Sequence, residues 1–149
     1  MHVLSQLNIK LSKLLLLLCF VSACQKKKAP VENTISGLPE DFTAFYEQFH
    51  KDSLFQMQHI DFPLKGLPDG ADPEEKNFDD FYYTSDNWVM HKTFNPQLFN
   101  SEFLILADIL IEERITEKKY QLMIIRRFAK GSQGWRLIYY AGLNKWTDN

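Results

Sequence analysis

Asp108 stands alone in the apolar run from Leu104 to Ile111, on the strand face expected to hold Leu104, Leu106 and Leu110. A carboxylate in that setting needs a partner, because an unpaired charge is costly to bury. Arg126, whose strand face also carries Tyr120, Leu122, Ile124 and Phe128, can supply one, as can Arg127 on the opposite face. With His59 on an earlier segment, these residue types make an acid–base set. A carboxyl or an imidazole moves the proton, and a guanidinium steadies the charge. The plainer alternative is an ion pair at a bulge or edge for Asp108 and a half-exposed strand position for His59, since structural pairs use the same residue types.

A different chemistry belongs to Cys24. Val21-Ser22-Ala23-Cys24 closes an apolar run, Leu14 to Val21, that follows Lys10 and Lys13. Basic, then apolar, then small is the order of a secretory signal, and the run is well short of the ~20 residues a membrane span needs. The tetrapeptide resembles the lipobox of bacterial lipoproteins. That resemblance implies a diacylglycerol on the Cys24 sulfur, cleavage before it and acylation of the new amino terminus. Three acyl chains, at ~0.8 kcal/mol per buried methylene, hold a protein on a membrane essentially permanently. Residues 1–23 are thus expected to be a signal peptide, 24–37 a lipidated cysteine with a flexible tether, and 38–149 the folded domain. Gln25 stands where an aspartate would retain an enterobacterial lipoprotein at the inner membrane. The expected location is therefore the outer membrane, facing the periplasm. Lys26, Lys27 and Lys28 beside the anchor can each add ~1 kcal/mol of attraction to anionic headgroups.

Composition narrows the remaining classes. The formal charge of −2 includes Lys10 and Lys13, which leave with the signal, so the mature chain is more acidic and is no partner for nucleic acid. Cys19 and Cys24 are the two cysteines, one removed and one acylated, leaving no disulfide, thiol nucleophile or thiolate metal ligand. His50, His59 and His91 are scattered without metal-ligand spacing. The carboxylates Asp69, Asp72, Glu74 and Glu75 do not follow a calcium-loop pattern. No HExxH, Gly-x-Ser-x-Gly or Walker loop occurs, so neither metal nor cofactor is expected. A domain without cross-links must rest on its core, and the six tyrosines, three tryptophans and all of the chain's twelve phenylalanines except Phe20 supply the area.

The elements that must position these residues follow from periodicity. Leu38-Pro39-Glu40-Asp41 reads as a helix start, and Phe42, Phe45, Tyr46 and Phe49 form an aromatic stripe at helical spacing. From Ser53 to Leu64 the pattern alternates, which predicts a strand; Leu64 to Asn77 reads as a long surface loop. Phe78 to Tyr83 and Trp88 to Phe94 flank the turn cluster Thr84-Ser85-Asp86-Asn87, as a hairpin or as a short helix and a strand. Phe103 to Ile115, Tyr120 to Ala129 and Trp135 to Leu143 read as an antiparallel three-stranded meander, the first strand buried on both faces at its middle.

The stretch from Phe45-Tyr46-Glu47-Gln48-Phe49-His50-Lys51-Asp52-Ser53-Leu54-Phe55-Gln56 through Ile60-Asp61-Phe62-Pro63-Leu64-Lys65-Gly66 resembles a family of Bacteroidota lipoproteins of unknown function. Asn87-Trp88 and the terminal meander are similar too. The resemblance implies an α+β, nuclear-transport-factor-2-like (cystatin-like) cone: an N-terminal aromatic helix packed on a curved antiparallel sheet. It implies no activity. Two uses compete on such a fold. One is a non-enzymatic binding or assembly module at the envelope, presenting aromatic residues such as Tyr83, Trp88 and Tyr139 to a small ligand, glycan or protein, or pairing as a homodimer. The alternative is a small-molecule enzyme of isomerase or dehydratase type, with Asp108, His59 and Arg126 inside the cone.

Overall fold

The computed structural model describes residues 37–146; Cys24 and most of the tether lie outside the described residues. Helix α1, Glu40–Lys51, begins where expected, with Pro39 as its N-cap and Glu40 and Asp41 in its first turn. Its aromatic stripe is core. Phe42, Phe45 and Phe49 are buried against the sheet, and Phe42 meets Phe128 and Trp135 edge-on at 5.4 and 5.0 Å between ring centroids.

The segment predicted as a strand from Ser53 is instead a second helix, α2, Ser53–Gln58. Asp52 decides this. Its carboxylate accepts hydrogen bonds from the Leu54 and Phe55 backbone N–H groups at 2.9 and 3.0 Å, the arrangement that starts a helix. Phe55 and His59, four residues apart, then stack with ring centroids 3.8 Å apart. The strand comes later and is shorter: β1, Leu64–Leu67, lies where a loop was expected. A 3-10 turn at Lys76–Phe78 leads to β2, Tyr82–Tyr83. Trp88 to Phe94 is neither helix nor strand.

The remaining strands are β3, Phe99–Ala107; β4, Leu110–Glu117; β5, Met123–Gly131; and β6, Gly134–Asn144. The terminal meander is present and has a fourth strand in front of it, because the run 103–115 folds back on itself at Asp108–Ile109. The sheet order is β2-β1-β6-β5-β4-β3, with β1 parallel to β6 and the other neighbours antiparallel. The sheet is curved and open, with α1 on its inner face. β3 is thus an edge strand. Contrary to the expectation of burial on both faces, Ile105 and Leu106 near its end are half exposed. The β5–β6 turn falls at the predicted glycines, Gly131 pairing with Gly134, whose φ of 94° suits a residue without Cβ.

Candidate functional site

The register of β4 on β5 sets Glu113 opposite Arg126 and Glu112 opposite Arg127. Successive strand residues face opposite ways, so one pair enters the cone and the other lies on the outer face. Outside, Glu112 bridges Arg127 and Arg114 at 2.7 and 2.8 Å. Burial alone would raise its pKa, but the two guanidiniums hold it below the usual carboxylate value.

Inside, Arg126 and Glu113 are 0% and 1% exposed. Glu113 accepts from the Tyr46 hydroxyl at 2.6 Å, the Ser101 hydroxyl at 2.8 Å and Arg126 Nη1 at 3.3 Å. Helix α1 supplies two of the partners one turn apart. His50 Nδ1 lies 2.8 Å from the Tyr46 carbonyl, to which it donates, leaving Nε2 to accept from Arg126 Nη1 at 2.8 Å. Arginine has no acceptor, so this tautomer is the one that satisfies both contacts, and the ring is neutral. Burial, then the adjacent Arg126 charge, push the His50 pKa down; burial, then Glu113, push that of Tyr46 up. The Arg126 guanidinium lies 5.1 Å from the Phe94 ring centroid, and its Nε and Nη2 have no hydrogen-bond partner among the described residues. Beside this cluster, Tyr46, Phe94, Phe99, Phe103 and Glu113 line a cavity of about 160 Å³. Small-molecule sites usually occupy ~300–1,000 Å³, and ~150 Å³ is about right for one benzene ring.

The catalytic set expected around Asp108 is not assembled. Asp108 lies in the exposed β3–β4 turn, and Leu104, paired with Glu112, is on the outer face of β3, whereas Ser101 and Phe103 turn inward. Arg126 is in the interior as expected, but its partner is Glu113. His59 ends α2, its Nδ1 2.8 Å from the Phe55 carbonyl, and is not on a strand. Of the aromatic candidates, Tyr83 and Trp88 come together. Tyr139 does not join them: it lies under Arg127 on the outer face, 4.7 Å from ring centroid to guanidinium, while its neighbour Tyr140 turns inward.

The cavity formed by Tyr83, Trp88, His91, Tyr140 and Asp69 measures about 240 Å³. Trp88 stands nearly perpendicular to Tyr83 and Tyr140, at 5.8 and 5.4 Å between centroids, and His91 lies 4.3 and 4.5 Å from Trp88 and Tyr140. The buried side chain of Gln56 fixes this corner. Its amide donates to the Phe49 and His91 carbonyls, and its oxygen accepts from Trp88 Nε1 at 3.2 Å and the His91 N–H at 2.8 Å. Two glycines give the other walls their place. A Cβ on Gly66 would stand 2.0 Å from the Tyr140 carbonyl oxygen and 2.9 Å from the Tyr83 ring; one on Gly142 would stand 2.1 Å from Asp69 Oδ1. That same oxygen accepts from the Leu143 N–H at 2.7 Å. The Tyr83 hydroxyl donates to the Leu67 carbonyl at 2.7 Å. Burial, then the charge of Arg126, pull the His91 pKa down to about 2, so its ring is neutral.

Among solved structures, a cystatin-like protein from Bacteroides caccae matches over 67% of this chain and 74% of its own, at a TM-score of 0.50 and 17% identity. The fold is nuclear-transport-factor-2-like, of the cystatin-like type. An NTF2-like protein from Bacteroides fragilis also matches, over 68% of this chain but 46% of its own, with a TM-score of 0.46 and 17% identity. No family model and no curated protein matches.

In this NTF2-like cone the residues not read from the sequence as site residues are Tyr46, His50, Gln56, Asp69, His91 and Glu113. Glu112, Glu113, Arg126 and Arg127 read as polar strand positions suited to cross-strand or cross-subunit pairing, and the register pairs them across β4 and β5, equidistant from a turn centred between Lys119 and Tyr120. Gln56 and Asp69 carry no comparable signal, since their roles depend on segments far away in the chain.

Proposed function

We propose that this chain is an exported, lipid-anchored envelope protein whose NTF2-like domain binds a small ligand in the aromatic cavity. The observation that carries the binding reading is that cavity's construction: four rings and a carboxylate around one space, secured by Gln56 and by two glycines that a side chain could not replace without displacing a wall. Aromatic faces take apolar, sugar and cationic ligands, so rings in a preformed concavity are an economical recognition surface. Acylation at Cys24 and residence at the outer membrane, facing the periplasm, rest on the lipobox pattern. The enzymatic alternative does not find Asp108 in the cone, since it is on an exposed turn; the carboxylate inside is Glu113, which accepts from Tyr46, Ser101 and Arg126.

The test is a titration of the mature chain carrying Cys24→Ser with p-cresol, choline and glucose, representing a neutral ring, a cation and a sugar. Nitrogen–proton NMR follows the Trp88 indole N–H, assigned by its loss in Trp88→Phe. Saturable shifts at Trp88, Asn87 and Gly142 are expected from at least one of the three. No saturable shift from any of them sinks the binding reading.

A further inference from the structure

We infer that the aromatic cavity selects a small cation bearing a methylated ammonium group, an inference that rests on the binding reading above and names its ligand class. The faces of Trp, Tyr and other aromatic rings carry negative electrostatic potential and attract a cation placed over them, most strongly where water is excluded. Here Trp88 is buried, Tyr83 and Tyr140 are half-buried, and all three border the same space.

The lining carries one carboxylate and no basic side chain: among the described residues that border the cavity, Asp69 is the one acidic or basic group besides His91. His91 is neutral for the reasons given above, and Arg126, whose charge reaches His91 and Tyr140 from behind, is ion-paired with Glu113. An anion would meet ring faces and a carboxylate. A cation meets attraction from both.

The hydrogen-bonding groups then distinguish methylated from bare ammonium. A primary ammonium brings three N–H donors that need acceptors. In this lining Asp69 Oδ1 and Asn87 Oδ1 already accept from the Leu143 and Thr84 N–H groups at 2.7 and 2.8 Å, and the Tyr83 hydroxyl gives its proton to the Leu67 carbonyl, so the acceptors still open are chiefly Asp69 Oδ2 and the Tyr83 oxygen, fewer than three donors would need. Methyl groups replace those donors with apolar surface that suits the rings. At about 240 Å³ the space is below the ~300–1,000 Å³ of drug-sized ligands and suits a trimethylammonium head with a short tail.

That head group occurs on free molecules such as choline and on phosphatidylcholine. The experiment therefore compares choline, its neutral isostere 3,3-dimethylbutan-1-ol, and phosphatidylcholine vesicles, using the mature chain with Cys24→Ser and the Trp88 indole N–H as reporter. Choline is expected to bind at least about tenfold more tightly than the isostere, a difference of ~1.4 kcal/mol. Asp69→Asn, at an exposed position, should preserve the fold and weaken choline about fivefold or more. Trp88→Phe, followed at the Asn87 and Gly142 amides instead of the indole, should weaken it further. Vesicle binding that Asp69→Asn weakens would make the lipid headgroup the source, and choline binding alone would make it the free molecule. If the isostere or p-cresol binds as well as choline, the cation inference is overturned and the binding module stands. If choline and vesicles both fail while p-cresol binds, the same conclusion follows. If nothing binds, both readings fall together.

Discussion

Arg126 is the residue on which the interior most depends. Among the described residues this fully buried guanidinium has one carboxylate, one neutral imidazole and one ring face around it, and two of its nitrogens lack partners. Removing Glu113 would leave an uncompensated charge in the cone, so Glu113→Ala should cost about 3–5 kcal/mol in urea unfolding. Replacing the pair together, as Glu113→Leu with Arg126→Met, should recover most of that loss. A double variant as unstable as the single one would show that the charges do more than neutralise each other. The histidines give a pH signature with a definite sign. His50 and His91 have folded pKa values pushed below the ordinary 6.5, so below that pH the unfolded chain binds more protons than the folded one. Stability is therefore full above about pH 6.5 and falls on acidification, by up to ~1.4 kcal/mol per pH unit for each histidine that stays neutral when folded. His91→Phe, which keeps a ring beside Trp88 and Tyr140, should flatten thermal melting against pH between 6.5 and 5. An unchanged slope would mean His91 takes up its proton in the folded state.

At the scale of elements, helix α2 is a clasp between the aromatic helix and the 88–91 segment. Gln56 makes four hydrogen bonds from a buried position, so Gln56→Leu strands the Phe49 and His91 carbonyls, the His91 N–H and the Trp88 indole N–H. Each unsatisfied buried group costs roughly 1–3 kcal/mol. The variant should lose at least ~2 kcal/mol of stability and perturb Trp88 fluorescence more than that of Trp135, which remains tied to Asp41 at 3.1 Å. Loss of stability with no change at Trp88 would contradict this role. The same helix explains where the sequence was opaque. Six residues contain fewer than two helical turns, too few to reveal a period, and Phe55-Gln56-Met57-Gln58 alternates as a strand would. The Asp52 cap outweighed that alternation. The run 103–115 hid its turn for another reason. Asp108–Ile109 contains no glycine or asparagine, and the irregular register near Leu106 leaves an unbroken apolar pattern across two strands. Where period and punctuation agreed, as in the stripe Phe42, Phe45 and Phe49 or the turn at Gly131 and Gly134, the fold was legible. The cavity was half legible. Tyr83 and Trp88 stood out by type, whereas Asp69 and Tyr140 meet them only because β1 is inserted beside β6, a long-range pairing that no local pattern announces.

For the whole molecule, the domain and the anchor proposed at Cys24 make separable demands on the chain. The core of the described residues runs from α1 to β6 and contains no cysteine, so changing Cys24 should leave stability and ligand binding untouched. Location is another matter. With the three acyl chains proposed at Cys24 the hydrophobic term would far exceed the ~1 kcal/mol that each of Lys26, Lys27 and Lys28 can contribute at an anionic surface. Neutralising the three lysines in the acylated protein should therefore not release it from the membrane. In Cys24→Ser the balance reverses. No acyl chain remains, and whatever association persists at low ionic strength should depend on the lysines and disappear in high salt, as screened surface attraction does. Fractionation of cells expressing wild type, Cys24→Ser, the triple-lysine variant and their combination, with labelled fatty acid to report acylation, separates the two contributions. Wild type should carry label and stay with the membrane at any salt, while Cys24→Ser should carry none and wash off. A wild-type protein without label, or a Cys24→Ser protein that resists high salt, would mean that Cys24 is not the anchor and that another part of the chain holds it to the envelope.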